Sequence, residues 1–378
     1  MAATPGSAVD TGVPATVQAL TAEAEEGLFS RGAQLYVSVG GEVVADVAVG
    51  VEGTGRLVTT ETLFSVYCAA KPVTAVGIAR LVDEGRLGLD DELGTLLPGR
   101  LCVGLEPVRL RDVLTHTAGL HRHQVITMGF LSPGRREEAV LSTPPPPGWR
   151  SGVDAAYSEY GGWHVLGLVI EAVAGVPLAD FLRSEVLEPL GLVGDVYLGM
   201  SAAEWADMRA RIGVNFDMRG LDPVPLVMER SDRVCTEWNP SFGGYATMRG
   251  LGHLYERLLA ALAGEPGPVG AATLAAFTTP QRPAAFDRVL QRPCRFGFGF
   301  MVDLRHHVVG TWCSERSFGH LGFAGSTWAF ADPEHGLVVA LLGDGLLDPA
   351  TAVGHRRPTL VDGIYRELGL SGAVPTSG

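Results

Sequence analysis

The sequence predicts an α+β fold, an α/β sandwich with one antiparallel sheet flanked by helices. Two alternating apolar runs on either side of Gly40-Gly41 predict a β-hairpin near the start. Helical spacing of apolar residues dominates the middle, and strand-like runs return toward the end, where Leu337–Leu342 is continuously apolar. We therefore expect the sheet to be built from both chain ends, with a helical subdomain inserted between them.

The individual elements follow from local patterns. Helices are predicted where apolar residues recur every three to four positions and where glycine or proline ends the run. They are Val17–Leu28, the run that follows Cys68, His164–Ala174 closed by Gly175, Ala179–Val186, the run from Gly243-Gly244 to Ala263, and Pro358–Leu368. The predicted strands are Ala33–Val39, Glu42–Val49, Phe296–Asp303, the stretch 317–330 with a turn inside it, and Leu337–Leu342.

Length and composition fit one large fold. The chain has 378 residues, and its hydrophobic content of 46% is ample for a core. We predict one catalytic domain over residues 1–378, with an α/β part of about 1–75 and 290–378 and a helical part of about 76–289.

Charge and cysteine spacing exclude several classes of function. The formal net charge of −13 argues against a nucleic acid or an anionic membrane as the main partner. The sequence has no run of 18 apolar residues, so we predict no membrane span. Met1–Leu28 lacks the pattern of an export signal. The five cysteines are widely spread and form no disulfide or zinc pattern. We expect a cytoplasmic protein with reduced thiols and predict no metal and no cofactor.

The strongest chemical signal is Cys68 followed three residues later by Lys71. An extended run meets a helical run there, so both side chains lie on one face at the helix start. A helix N-terminus and a nearby ammonium group both favour the thiolate form of a cysteine. Cys68 is therefore a candidate nucleophile with Lys71 as its activator. The alternative is a core cysteine beside a surface lysine.

The surrounding sequence carries a family resemblance. Phe64 precedes the C-x-x-K motif, a long helical run follows it, and residues 83–91 read DEGRLGLDD. This pattern resembles the serine β-lactamase and penicillin-binding-protein family, whose catalytic motif is S-x-x-K. It is most similar to the branch of class C β-lactamases, D-aminopeptidases, esterases and transacylases. Cys68 stands where that family has its serine.

The resemblance implies three catalytic motifs, and all three have counterparts in family order. The first is Cys68-x-x-Lys71. The second is Tyr157-Ser158-Glu159, where the family has Tyr-x-Asn. The third is His320-Leu321-Gly322, where the family has Lys-Thr-Gly or His-x-Gly. The resemblance also implies the mixed fold deduced above from the order of elements.

Roles carried over from the family assign the chemistry. Cys68 would attack the acyl carbon, and Lys71 would take or hold its proton. Tyr157 would pass a proton to the leaving group and accept one from the incoming acceptor. The backbone N–H groups of Cys68 and Phe323 would form the oxyanion hole. The substrate-binding residues would be Glu159, His320 and Gly322, with His320 tuning the charge of the pocket.

Other interpretations stay open at several of these positions. Tyr157 could be a core tyrosine. Glu159 could contact Lys71, act as a base for the acceptor, or be a solvated carboxylate. His116 lies in a segment that is structural in the family, although a catalytic base is the alternative. The motif His121-Arg122-His123 has two ligand-type side chains but no apparent third, which argues against a metal site.

The departures from the family pattern shift the expected reaction. A thiolate leaves a tetrahedral intermediate more readily than an amine, so attack by Cys68 on an amide tends to reverse. Thioesters and activated esters have better leaving groups, and an acyl-thioenzyme can still acylate an amine or alcohol. Leu321 has no hydroxyl and His320 is not a permanent cation, so we expect weak recognition of a β-lactam carboxylate.

The leading hypothesis is therefore acyl transfer through an acyl-enzyme on Cys68. The donor would be a small-molecule thioester or ester, with a carrier protein or coenzyme A as alternative carriers of the acyl group. The acceptor would be a small molecule, by analogy with transacylases of natural-product biosynthesis. The alternatives are an esterase, thioesterase or amidase that uses water, and a catalytically inactive homologue that only binds a ligand.

Overall fold

The computed structural model describes residues 11–124, 128–129, 131–348, 351, 354 and 356–372. The strands are β1 Gly32–Val39, β2 Glu42–Gly50, β3 Phe64–Ser65, β4 Val196–Tyr197, β5 Phe216–Asp217, β6 Val224–Pro225, β7 Tyr245–Ala246, β8 Arg282–Asp287, β9 Arg292–Phe296, β10 Met301–Val302, β11 Phe318–Leu321, β12 Thr327–Asp332, β13 Leu337–Gly343 and β14 Gly345–Leu346.

The α-helices are α1 Pro14–Glu26, α2 Lys71–Asp83, α3 Leu93–Leu96, α4 Leu110–Leu114, α5 Pro133–Ser142, α6 Gly161–Ala174, α7 Leu178–Leu182, α8 Glu188–Leu190, α9 Ala202–Met208, α10 Asp232–Thr236, α11 Met248–Leu262, α12 Ala271–Thr278 and α13 Arg357–Glu367. Shorter 3-10 helices cover Tyr67–Ala70, Val227–Arg230, Leu304–His307 and Phe323–Gly325, and one π-helical turn covers Arg183–Leu187.

The main sheet joins the two ends of the chain. Its eight strands lie in the order β2-β1-β13-β12-β11-β10-β9-β8, and every neighbouring pair is antiparallel. At the junction of the two chain ends, Ala33 pairs with Gly343 and Val39 pairs with Leu337. The predicted antiparallel sheet from both chain ends is therefore confirmed.

Both faces of this sheet are covered, which makes the α/β sandwich. In β13, Val338, Ala340 and Leu342 pack into the core that includes α2 and α11. The alternate residues Leu337, Val339 and Leu341 pack into the second core, with Leu20 of α1 and Ile364 of α13. Because side chains alternate along a strand, burial on both faces produces the continuous apolar run seen in the sequence.

Helix α2 is the centre of the inserted helical part. It packs against α6, α7 and α12, and its apolar side chains are buried on nearly every side. Pro72 stands in its first turn, where a missing backbone N–H costs no hydrogen bond. The fold thereby holds the residue that begins this helix, Lys71, at the boundary between the helical part and the sheet.

The predicted strand Phe296–Asp303 is wrong. The structure instead turns at this point, with β9 ending at Phe296 and β10 beginning at Met301, where the two residues pair. Gly299 has φ of +80°, which strands do not allow, and a Cβ at Gly297 would lie 2.1 Å from the Phe277 carbonyl oxygen. The alternation of phenylalanine and glycine in this stretch imitates a strand but forms a turn.

Two predicted helices differ from the observed ones. Helix α1 begins three residues before Val17 and ends before Gly27, whose φ of +64° closes the helix. The predicted helix Ala179–Val186 is divided between α7 and the π-helical turn.

Helix α6 meets the stretch Leu178–Leu190 at 82°, and this bent pair together matches a membrane span in length and composition, whereas no single helix of the described residues does.

Candidate active site

Cys68 lies in the 3-10 turn that joins β3 to α2. Strand β3 pairs with β7, and the Val66 N–H donates to the Gly244 carbonyl oxygen over 2.9 Å. A Cβ at Gly244 would lie 2.2 Å from the Cβ of Ala70, so glycine allows this close approach. Contacts with the segment that precedes α11 therefore hold this turn in place. The predicted position of Cys68 at a helix start is confirmed.

Lys71 is completely buried and is surrounded by oxygen atoms. Its ammonium nitrogen donates to the backbone carbonyl oxygens of Ser241 (2.7 Å) and Glu159 (2.9 Å) and lies 3.3 Å from Ser241 Oγ. The same nitrogen lies 5.5 Å from the ring centres of Tyr157 and Trp163. These contacts stabilise a positive charge and orient the nitrogen.

Opposing influences set the proton affinity of Lys71. Burial lowers the pKa of Lys71, while the neighbouring Cys68 and, more weakly, Glu159 raise it. Two N–H groups stay on the two carbonyl oxygens in either charge state. The third position of the nitrogen can then hold a lone pair toward Cys68 or donate a proton to its thiolate. The geometry suits proton exchange between Lys71 and Cys68.

Tyr157 completes the group around the sulfur. Cys68 is 6% exposed, and it lies close enough to Lys71 and Tyr157 to raise the pKa of both side chains. Burial, and then the charges of Cys68 and Glu159, raise the pKa of Tyr157 well above its ordinary value. The phenol therefore keeps its proton near neutral pH, as the predicted role of a proton relay requires. The structure thus brings the three predicted catalytic side chains together.

A buried polar framework holds Tyr157 in place. Its N–H donates to Asp287 Oδ1 over 3.0 Å, and Asp287 forms a buried ion pair with Arg282 over 3.1 Å. The His116 ring lies 4.6 Å from the Tyr157 ring, and the Ser158 N–H donates to His116 Nδ1 over 3.0 Å. Burial lowers the pKa of His116 well below its ordinary value, so it is neutral. These contacts support the structural interpretation of His116.

The third motif lies directly against the nucleophile turn. The Gly322 N–H donates to the Thr327 carbonyl oxygen over 2.7 Å, and a Cβ at Gly322 would lie 3.0 Å from the Val66 carbonyl oxygen. The Phe323 ring lies 5.9 Å from the Tyr67 ring. The N–H groups of Cys68 and Phe323 take no part in the backbone hydrogen bonds that join loops and turns of the described residues. The oxyanion hole formed by these two N–H groups stays a prediction.

His320 is buried near Tyr157 and is not exposed in an open pocket. It is 1% exposed, its ring centre is 6.0 Å from that of Tyr157, and its Nδ1 lies 2.9 Å from the Leu321 carbonyl oxygen. Burial and the nearby charge of Lys71 lower the pKa of His320 well below its ordinary value. A neutral imidazole gives the pocket no positive charge, and the tuning of the pocket charge by His320 stays a prediction. Contact with substrate stays a prediction.

Glu159 enters the site through its backbone. Its carbonyl oxygen accepts hydrogen bonds from the Lys71 ammonium group and from the Ser241 hydroxyl. Its half-buried carboxylate is close enough to raise the pKa of both Lys71 and Tyr157. Lys71 therefore donates to the backbone of Glu159, whereas the family motif points to the Glu159 side chain. Its role toward substrate stays a prediction.

The sequence did not reveal several residues around the site. Ser241 supplies two of the oxygen atoms around Lys71, and the Asn239 side chain accepts from the Ser241 N–H over 2.9 Å, which fixes that loop. An Asn-Pro dipeptide at residues 239–240 is a turn signal that could have marked it. Tyr67 and Glu229 also line a cavity of about 200 Å³ beside the nucleophile turn.

Comparisons with known proteins define the family. The Beta-lactamase family model matches residues 18–358, so the chain belongs to the Beta-lactamase family. It is an enzyme of this family of hydrolases and acyltransferases. The esterase/β-lactamase LipL of Mycobacterium tuberculosis is 26% identical over 353 residues, which cover 86% of this chain and 79% of LipL.

Solved structures share the same fold. A penicillin-binding protein homologue from Caulobacter crescentus has a TM-score of 0.75 at 24% identity and covers 94% of this chain and 98% of its own. EstCE1, named as a hydrolase with promiscuous acyltransferase activity, has a TM-score of 0.75 at 19% identity with the same two coverages. At these identities the likeness shows the fold, which is the α+β arrangement predicted from the sequence.

Proposed function

We propose that this enzyme transfers acyl groups through a covalent acyl-enzyme on Cys68, as a member of the transacylase and esterase branch related to class C β-lactamases. The observation that carries the proposal is the buried Lys71, which two backbone carbonyl oxygens hold 5.5 Å from the Tyr157 ring centre and close enough to Cys68 to interact with it. A thiol, a base and a proton relay gathered in one site are the parts that acyl transfer needs.

In the first half-reaction, Lys71 removes the thiol proton and the Cys68 sulfur attacks the carbonyl carbon of a thioester or ester. The N–H groups of Cys68 and Phe323 stabilise the negative oxygen, a role worth about 3–4 kcal/mol for a single donor in other enzymes. The intermediate collapses by breaking the bond to the leaving thiol or alcohol. The proton held by Lys71 passes through Tyr157 to that leaving group, and the acyl group remains on sulfur.

The second half-reaction reverses these roles. An acceptor hydroxyl or amine attacks the thioester carbon while its proton passes through Tyr157 to Lys71. The carbon–sulfur bond breaks, and the thiolate recovers the proton from Lys71. Moving an acyl group from sulfur to oxygen or nitrogen is downhill, so no further reactant is required.

Two features favour an acceptor other than water. Cys68 is 6% exposed and Lys71 is completely buried, so little solvent reaches the thioester. EstCE1, which shares the fold, is named as a hydrolase with acyltransferase activity. Hydrolysis, as in an esterase or thioesterase, is the second candidate function, which the name of LipL as an esterase/β-lactamase favours.

The third motif bears on the choice of substrate. His320 is neutral and Leu321 lacks a hydroxyl, so this motif offers no positive charge to a β-lactam carboxylate. We propose uncharged acyl groups on thioester or ester donors, with a carrier protein or coenzyme A as alternative acyl carriers. We further propose that one catalytic domain does this work in the cytoplasm, in natural-product biosynthesis, without nucleic acid or membrane partners.

Intact-mass measurement after brief exposure to acyl thioesters and activated esters tests this function. A mass increase by one acyl group on the wild-type protein, absent in Cys68→Ala, is the expected result. Cys68→Ser is the matched control, because it keeps a nucleophile of similar size while changing the leaving ability of the side chain. Adding amines, alcohols or water then separates transfer from hydrolysis. No adduct with any donor would contradict the proposal and favour a homologue that only binds a ligand.

A further inference from the structure

Tyr67, the residue before the nucleophile, has an unusual backbone conformation. Its φ is +49°, in the left-handed region that side chains other than asparagine, aspartate and glycine rarely adopt. Such a conformation persists only when surrounding contacts hold it. Tyr67 also touches Phe323 through its ring, so it lies between the two residues whose N–H groups form the proposed oxyanion hole.

The Glu229 carboxylate is the main polar anchor of the Tyr67 side chain. The Tyr67 hydroxyl donates to Glu229 Oε1, across 162 residues of sequence. The Asn215 N–H donates to Glu229 Oε2 over 3.1 Å, so both carboxylate oxygens accept hydrogen bonds. Burial raises the pKa of Glu229 to about 7 and the pKa of Tyr67 well above its ordinary value, so the phenol is the donor.

Further contacts fix Glu229 itself. Its backbone carbonyl oxygen accepts from the Tyr245 hydroxyl and from Cys235 Sγ, the latter over 3.2 Å. Tyr245 pairs with Ser65 in the strand that leads into the nucleophile turn. The Asn215 side chain donates to the Ser65 carbonyl oxygen over 3.1 Å. Glu229 is therefore connected to both the strand before the turn and the turn itself.

We propose that Glu229 is a positioning residue that acts through Tyr67. By accepting from the Tyr67 hydroxyl, it holds the strained turn so that the Cys68 sulfur faces the acyl carbon while the N–H groups of Cys68 and Phe323 face the carbonyl oxygen. This inference rests on the proposed nucleophilic role of Cys68. Glu229 itself is not placed in contact with the reacting atoms.

The experiment compares two variants with a matched control. Tyr67→Phe removes the phenol hydroxyl, and Glu229→Gln removes the ionisable carboxyl group while keeping one acceptor oxygen. Tyr36→Phe is the control, because the buried Tyr36 hydroxyl donates to Glu256 over 2.8 Å in a similar tyrosine–glutamate pair, between β1 and α11. Each protein is assayed for single-turnover acylation by an acyl thioester, for alkylation of Cys68 by iodoacetamide, and for its unfolding midpoint.

Positioning predicts a specific pattern. Tyr67→Phe should slow saturated acylation by about 10- to 100-fold, because small displacements of reacting groups have effects of that order. Glu229→Gln should lose less, since its amide oxygen can still accept from Tyr67. Alkylation needs no oxyanion hole, so it should change by less than about threefold, and Tyr36→Phe should acylate at the wild-type rate.

Several outcomes would overturn the inference. Acylation at the wild-type rate in Tyr67→Phe would do so, and so would equal losses in acylation and alkylation, which indicate a general change at the thiol. If Tyr67→Phe and Tyr36→Phe lose the same acylation rate and have the same unfolding midpoint, the role of Tyr67 is merely structural. If the wild-type protein itself forms no adduct, the proposed function fails and this inference fails with it. If the adduct forms at the same rate in the wild-type protein and in every variant, the positioning role of Glu229 is wrong but the proposed function stands.

Discussion

Lys71 and His320 are two buried bases near the Tyr157 ring, but only Lys71 is equipped to carry a proton. Three oxygen atoms surround the Lys71 nitrogen within 3.3 Å. The His320 ring has one such neighbour, the Leu321 carbonyl oxygen, and its buried Nε2 has no hydrogen-bond partner among the described residues. Burial lowers the pKa of both side chains. The neighbouring Cys68 and Glu159 raise that of Lys71, whereas the charge of Lys71 lowers that of His320 further, against the opposing Leu321 carbonyl oxygen.

The difference shows where charge resides in the site. A cation is available beside Cys68, the proposed nucleophile, and is missing from the third motif, where a substrate carboxylate would be recognised. This arrangement favours an uncharged acyl donor. Lys71 and His320 would no longer differ in this way if the proton did not pass through Lys71 or if His320 were charged in the folded protein.

The largest expected effect is the loss of Lys71. Lys71→Ala should slow acylation of Cys68 by about 10²- to 10⁴-fold, the range typical of removing a general base. Single-turnover acylation with an acyl thioester, followed by intact mass, measures it. Lys71→Arg is the matched control, because it keeps a positive charge that cannot act as a base. Recovery of the wild-type rate in Lys71→Arg would show that charge alone suffices and would remove the assigned proton transfer.

The next effect separates the two half-reactions at Tyr157. A thiolate leaving group needs little help from a proton, whereas an alcohol acceptor must lose its proton as it attacks. Tyr157→Phe should therefore slow transfer to an alcohol by about 10²-fold and slow acylation by a thioester by less than about tenfold. Intact mass follows the first step and product chromatography the second. Equal losses in both steps would contradict the relay and favour a packing role for Tyr157.

Much of the fold could be predicted because local patterns encode it. The hairpin around Gly40-Gly41 and the continuously apolar β13 are visible in short windows of sequence, and their pairing follows from element order. The hairpin of β8 and β9 and the turn after Phe296 were not predicted. Strand β8 has a register shift and exposed positions, so it lacks a clean alternation, and Gly297 and Gly299 interrupt a run that looks extended.

The residues of the candidate site also divide into those that the sequence reveals and those that it does not. Cys68, Lys71 and Tyr157 could be found because each lies in a short motif, although the fold alone shows that they meet. The carbonyl oxygens that hold Lys71 lie 88 and 170 residues away and leave no side-chain signature. Glu229 lies in the segment 201–238, which has no readable periodicity, and its meaning depends on contact with Tyr67. Backbone acceptors and polar contacts between residues far apart in the sequence depend on the tertiary structure, so a short sequence motif does not reveal them.

The smallest expected effect concerns His320 and stability in acid. Burial, followed by the charge of Lys71, lowers the pKa of His320 well below 6.5, so the folded protein keeps this ring neutral. Below pH 6.5 the unfolded chain binds a proton that the folded protein does not, and stability falls by up to about 1.4 kcal/mol per pH unit. His320→Gln removes that contribution while keeping a polar side chain of similar size.

Urea unfolding at pH 7.5 and pH 5.5 measures the difference. Between these values the wild-type protein should lose about 1 kcal/mol more stability than His320→Gln. Burial also lowers the pKa of His116 and His307, and because both residues remain in the two proteins, their acid sensitivity cancels in the comparison. Equal losses would show that His320 is protonated in the folded protein. The third motif would then supply a cation after all, and the contrast with Lys71 would disappear.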